Sequence, residues 1–277
     1  MIQQDIKHIL LISVIFILII MTYMIYKICD SNDSLEYFIY SGKDDGPTVA
    51  IIGGTHGNEP IGSIIIKNLI QKLNDKTITL KRGKLILIPS VNYCALRLNI
   101  RMIPGIGDIN RKYPKNLETN NNLEKNNNLE KNENTGCPIN NKIIELIKDA
   151  DFILDFHEGW GFHRKTKRSM GSTITPTETP ISNEISDILY ENINKIITED
   201  YKKFKIFVND NRSIDNVNKY SQINDIKGSL RYYANINRKN YVLIEITGQN
   251  NVQPIEVRKN QADLIINNVL EYFKLVG

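Results

Sequence analysis

His56 and Glu59 stand three residues apart in the glycine-rich run GGTHGNEP at 53–60. They put an imidazole nitrogen and a carboxylate where an almost unbroken apolar run, 48–53, gives way to a helical pattern. Zinc accepts these donors, and flanking glycines let a backbone approach an ion closely. An isolated HxxE also fits a solvated histidine followed by a helix-start glutamate. A second apolar run, 151–156, delivers His157 at an equivalent strand end, where open α/β sheets build their sites. His8 precedes a long apolar segment, leaving His56, His157 and His163 as candidates; His163 reads equally as pocket-lining or solvated. Two imidazoles and a carboxylate leave a fourth zinc position for water, and hydrolysis then needs a carboxylate base beside it. Glu245 sits inside the apolar strand pattern YVLIEITG at 241–248, where a charge unexplained by packing suits that role better than a solvent-facing edge position.

Arginine is scarce, 10 residues against 25 lysines, yet Arg97, Arg101 and Arg111 fall within the short stretches NYCALRLNIR at 92–101 and DINRKYP at 108–114. A guanidinium grips a carboxylate with two parallel bonds, which an ammonium cannot do. Repeated use of arginine here points to an acid group on the substrate.

The elements that must hold these residues alternate. Strand-like runs at 37–40, 48–53, 84–89, 151–156, 205–208 and 241–246 are interleaved with helical patterns at 61–73, 139–148, 181–197, 229–236 and 254–273. This predicts a single α/β domain over 37–277 with a largely parallel sheet flanked by helices. With 277 residues, 41% hydrophobic and 24% charged, disorder throughout and fibrous structure are excluded. The 35 basic and 31 acidic residues are interspersed, so no nucleic-acid partner is expected. Three cysteines are too few for a thiolate metal cluster, although a Cys94–Cys137 bridge is allowed. After a tail at 1–8, the run 9–26 has no charge, Pro or Gly; it predicts one transmembrane helix acting as an uncleaved anchor, followed by a linker at 27–36. Localisation would be single-pass membrane. Lys7 and Lys27 flank the span evenly and do not choose its orientation. The segment 115–136 repeats NNNLEK in tandem and reads as a low-complexity, disordered insertion.

Taken in order, GGTHGNEP, the 92–101 stretch, DINRKYP, DFHEG at 155–159 and EITG at 245–248 resemble the carboxypeptidase A-like zinc hydrolases, and within them the succinylglutamate desuccinylase/aspartoacylase group. The resemblance implies a mixed, carboxypeptidase-like sheet and one zinc per chain held by His56, Glu59 and His157. It also implies Glu245 as general base and acid, Asn110 and Arg111 on a substrate carboxylate, and Arg101, with Arg97 as competitor, polarising the scissile carbonyl. The substrate would be a small molecule or peptide with a free carboxylate, either an N-acyl amino acid or a peptide C-terminus. Only 29 residues follow Gly248, too few for the extra C-terminal β-domain of aspartoacylase-like members. The group's substrate tyrosine has three candidates, Tyr220, Tyr232 and Tyr233. The alternative function is a membrane-tethered protein of the same fold that captures carboxylate ligands without turnover.

Overall fold

The computed structural model describes residues 2–30, 35–102, 106–115, 137–166, 168–208 and 220–276. The chain divides into two units, Met1–Ser34 and Leu35–Gly277. The first is one helix, α1 (Ile2–Asp30), along which large apolar side chains such as Leu11, Phe16 and Ile20 are exposed. The expected membrane span at 9–26 is thus helical, but among the described residues no helix is long and apolar enough to cross a membrane. The NNNLEK insertion, apart from Lys115, lies outside the described residues.

The second unit is built on eight strands: β1 (Glu36–Ser41), β2 (Asp44–Ile52), β3 (Arg82–Ser90), β4 (Phe152–Gly159), β5 (Thr173–Pro176), β6 (Lys205–Val208), β7 (Tyr220–Gln222) and β8 (Tyr241–Thr247). They form one sheet in the order β1-β3-β2-β4-β8-β5-β6-β7. β1 runs antiparallel to β3, and β5 antiparallel to β8; the other five pairings are parallel. The helices are α2 (Ile61–Asn74), α3 (Tyr93–Leu98), α4 (Pro138–Ile147), α5 (Pro180–Lys195), α6 (Leu230–Ile236) and α7 (Ile255–Tyr272). The mixed, largely parallel sheet flanked by helices agrees with the sequence expectation.

The central strands are apolar at successive positions because both faces are covered. Val49, Ile51, Leu85 and Leu87 face a core completed by α2, α5 and α7. Their neighbours Ala50, Ile52, Ile86 and Ile88 face a second core completed by α4 and α6. Three elements escaped the sequence reading, β5, the three-residue β7 and α3. β5 is a four-residue TITP segment without apolar periodicity, and α3 spans six residues, under two turns. β4 also runs three residues further than expected, because its parallel pairing with β8 continues through His157↔Glu245 to Gly159↔Thr247. Cys137 is a free thiol, so no Cys94–Cys137 bridge forms.

The start of α2 lies almost on the end of β2. A Cβ on Gly53 would come 2.6 Å from the Gly62 carbonyl carbon, and one on Gly62 would come 2.7 Å from Phe156 Cβ. Only hydrogen fits at either place. Gly53→Ala should therefore push helix from sheet, costing about 1–3 kcal/mol as an overpacked core position. Thermal denaturation should show a midpoint lowered by several degrees; an unchanged midpoint would mean that the helix can shift without loss.

Candidate metal centre and active site

From β2 the chain turns through 53–60 into α2, with Pro60 at the helix N-cap. The turn is clasped by the segment after β3: a Cβ on Gly57 would fall 1.9 Å from the Ala95 carbonyl oxygen and 2.3 Å from that of Ile100. Backbone rather than side chain fills the space beside His56, which fixes the direction of its ring.

His56, Glu59 and His157 are each at most 3% exposed, and their candidate ligand atoms all lie within 4.8 Å of one another. The Glu59 carboxylate sits between the imidazoles, Oε1 at 3.0 Å from His56 Nδ1 and Oε2 at 2.8 Å from His157 Nδ1. The two Nδ1 atoms are 3.2 Å apart. A tetrahedral ion with bonds of ~2.0–2.1 Å separates its donors by roughly 3.4 Å, so this cluster needs little adjustment to take one zinc. The far side of each ring supports the same reading. His56 Nε2 lies 3.1 Å from Asp108 Oδ1, and His157 Nε2 lies 3.4 Å from Asp155 Oδ2. Carboxylates behind imidazoles fix the tautomer that presents Nδ1 and strengthen it as a ligand.

The electrostatics follow from these contacts. Burial opposes ionisation of Glu59, yet hydrogen bonds with His157 and His56 outweigh it and hold the carboxyl well below its usual range. Burial likewise disfavours a charged His157, but Asp155 and Glu59 together raise its pKa well above the imidazole range. Asp108 is partly desolvated and is nevertheless pulled far down by His56, with Arg101 and Arg111 adding to the effect. Glu245 goes the other way. Opposite His157 in the ladder and enclosed by the cavity, it is pushed up to about 8 by burial and then by the Glu59 charge. A ligand carboxylate held ionised beside a second carboxyl held near neutral pH is the division of labour expected between a metal ligand and a proton carrier.

His56, Glu59, Arg101, Asn110, Arg111, His157 and Glu245 all line one cavity of about 220 Å³. The structure thus brings together the expected metal ligands, Glu245, Arg101, Asn110 and Arg111. Arg101 donates from Nη1 to Glu59 Oε1 at 2.9 Å and from Nη2 to Asp108 Oδ2 at 3.1 Å. Its competitor Arg97 does not line the cavity; its guanidinium lies over the Tyr93 ring, 5.9 Å from the centroid. Asn110 Oδ1 accepts the Leu230 backbone N–H at 2.9 Å, which ties the 108–111 turn to the start of α6, while the Arg111 guanidinium donates to the Asn110 carbonyl at 2.7 Å. Of the tyrosine candidates, Tyr233 is buried against Tyr113 and the Tyr232 hydroxyl donates to the Lys115 carbonyl; the Tyr220 side chain lies outside what is described. His163 packs edge-on against Phe207 and does not line the cavity.

Several supporting residues were not found from sequence. Gln249, next after EITG, donates to Glu59 Oε1 at 3.1 Å and to the Glu158 carbonyl, and accepts from Asn58 Nδ2 at 2.9 Å. Glu158 accepts the Ile61 N–H at 2.6 Å and pairs with Arg258 at 2.7 Å, fully buried. A Cβ on Gly248 would strike both members of that pair, at 2.1 and 2.3 Å, which accounts for the glycine of EITG. Asp108 and Glu158 stood inside quoted motifs, but their partners come from distant parts of the chain. Gln249→Ala removes a donor from the Glu59 carboxylate without touching a ligand atom. It should weaken zinc binding about 10- to 100-fold. Competition with a chromophoric chelator measures this, and equal affinity in wild type and variant would show that Gln249 does not support Glu59.

Residues 45–167 match the family model described as the succinylglutamate desuccinylase/aspartoacylase catalytic domain. No curated protein matches the chain in sequence. Among solved structures, Csd4 from Helicobacter pylori, a cell shape determinant, superposes with a TM-score of 0.64 at 18% identity, covering 87% of this chain and 56% of its own. In its mDAP-bound form Csd4 is described as a D,L-carboxypeptidase. A succinylglutamate desuccinylase from a Silicibacter species gives 0.55 at 17% identity, over 87% of this chain and 60% of that one. An aspartoacylase family protein from Mesorhizobium loti gives 0.51 at 19% identity, over 88% and 62%. The chain therefore spans little more than half the length of Csd4. At these identities the structural likeness carries the fold. The family match over 45–167 and the His–Glu–His cluster make this part of the chain similar to the succinylglutamate desuccinylase/aspartoacylase catalytic domain, on a fold shared with these structures.

Proposed function

We propose that the chain is a zinc-dependent hydrolase that cleaves an amide bond next to a free carboxylate, acting on an N-acyl amino acid or a peptide C-terminus. The observation that carries this reading is the buried His56–Glu59–His157 cluster opening, beside Glu245, into a cavity that several guanidiniums also line. The relatives' described activities, carboxypeptidase, desuccinylase and aspartoacylase, are all hydrolyses of such amides and support the same class.

His56, Glu59 and His157 would hold the ion. When bound, zinc supplies an acidified water and positive charge for the carbonyl oxygen. Arg111 takes the substrate carboxylate through its planar fork, and Asn110 orients the turn that presents it. Glu245 accepts a proton from the attacking water and returns it to the leaving amine; a carboxyl whose affinity for protons is already raised serves both steps. Arg101 stabilises charge developing on the carbonyl oxygen. The uncharged run 9–26 within α1 supports tethering of the domain to a membrane as a single-pass protein. Deleting 1–34 would then release the chain from the membrane fraction, and unchanged partitioning would count against the tether.

Glu245→Gln is nearly isosteric and removes the proton carrier alone. It should lower kcat about 100- to 10,000-fold while zinc content stays at the wild-type value. Turnover within a few-fold of wild type would remove Glu245 from the chemistry. Arg111→Lys keeps the charge and loses the fork, so kcat/KM should fall about 10- to 1,000-fold. Substrates amidated at the acid group should be poor for wild type and little affected by the substitution. Equal rates for free-acid and amidated substrates would contradict the carboxylate role of Arg111.

A further inference from the structure

The cavity has a second wall that the hydrolytic chemistry does not use. Trp160, the chain's one tryptophan, lines it and is 45% exposed, immediately after β4 and three residues past His157. Met170 lines it from the same 160–171 loop, and Ile223 and Ile226 line it from the segment before α6, with Ile226 50% exposed. A large indole left in water at a site mouth is a surface waiting for an apolar ligand group, since covering it releases the hydrophobic contribution that folding left unused. The loop that carries it is held in place. Phe162 stacks edge-on against Tyr201, Arg164 pairs with Asp200 at 2.6 Å, and Lys165 lies 3.5 Å over the Tyr201 ring. Gly171, at a φ of +66°, lets the returning strand pass so close to His163 that a Cβ there would meet its backbone nitrogen at 2.3 Å. Trp160 is therefore presented by an anchored loop.

Much of the charge in the cavity is already matched. Arg231 pairs with Asp225, and Arg101 with Glu59 and Asp108. Resting on the function proposed above, Arg111 takes the acid half of the substrate and the scissile carbonyl lies at the metal cluster. The remaining half then extends toward the loop that follows His157. We infer that the group on the acyl side of the scissile bond is apolar, a short alkyl or aryl acyl chain or an apolar penultimate side chain, and that Trp160 with Met170 selects it. The rival determinant is Arg168, which lines the cavity from the same loop and would instead favour a second carboxylate, as in a succinyl group.

The test uses the full-length zinc-loaded protein and N-acyl amino acids that share one amino-acid half and carry acetyl, succinyl, hexanoyl or benzoyl groups. Hexanoyl and benzoyl substrates should exceed acetyl by about 10-fold or more in kcat/KM, the order expected when added methylenes are buried. Trp160→Ala should bring that ratio close to one, and Trp160→Phe should keep most of it; a purely structural defect would lower all rates together and leave the ratio intact. Succinyl as the best substrate, or a wild-type ratio near one, overturns the inference. The same compounds titrated against the emission of the sole tryptophan separate this claim from the hydrolytic one. If no amide is cleaved but quenching saturates at lower concentration for hexanoyl and benzoyl than for acetyl and succinyl, the apolar subsite stands and the hydrolase reading fails. If emission shows no such order, the subsite is wrong whatever the rates.

Discussion

Everything in the Leu35–Gly277 unit that bears on chemistry depends on one carboxylate held between two imidazoles. Glu59, His56 and His157 are withdrawn from water almost completely, with Glu59 oxygens 2.8 and 3.0 Å from the two Nδ1 atoms. Burying such groups without partners is strongly unfavourable. Their mutual contacts, Asp108 and Asp155 behind the rings, and Gln249 and Arg101 donating to Glu59 Oε1 together offset that cost. Replacing the shared protons by a divalent ion keeps the same donors facing the same point.

The sheet order makes this cluster attainable. β2, β4 and β8 are parallel neighbours, so their C-terminal ends open on one edge and carry the His56 turn, His157 and Glu245 to the same place. Behind that edge, Glu158 joins three elements. Its carboxylate receives the first N–H of α2, pairs with Arg258 of α7, and leaves room for nothing larger than a hydrogen on Gly248 after β8. Burial raises the pKa of Glu158, and Arg258 opposes the rise. The direction in which Glu59 points is thus set by a helix start fastened to the strand that bears His157.

The sequence disclosed the chemistry of this site more fully than its support. His56, Glu59, His157 and Glu245 were legible because each interrupts or ends an apolar run that only a buried strand explains. Their convergence was not, since β8 joins β4 across more than eighty residues of intervening chain and nothing in either strand names its neighbour. β5 was missed because two of its four buried residues are threonines and one is a proline, stabilised by position in the sheet rather than by an apolar pattern. Gln249, Asp155 and Arg258 look like ordinary polar residues until their partners, distant in sequence, are brought beside them. The choice between Arg101 and Arg97 as cavity residue depended on how α3 is seated, which spacing alone does not reveal. The transmembrane span was read from an uncharged run; the structure turns that run into helix, yet among the described residues no helix is long and apolar enough to cross a membrane.

The central claim is that His56, Glu59 and His157 form one zinc site. Its most direct test is the metal content of the full-length protein after loading with excess zinc and exhaustive dialysis, compared between wild type and His157→Ala. The account predicts about one zinc per chain in wild type, the stoichiometry of a mononuclear site, and little or none in the variant. Wild type without bound zinc, or a His157→Ala protein that retains it in full, would contradict the account.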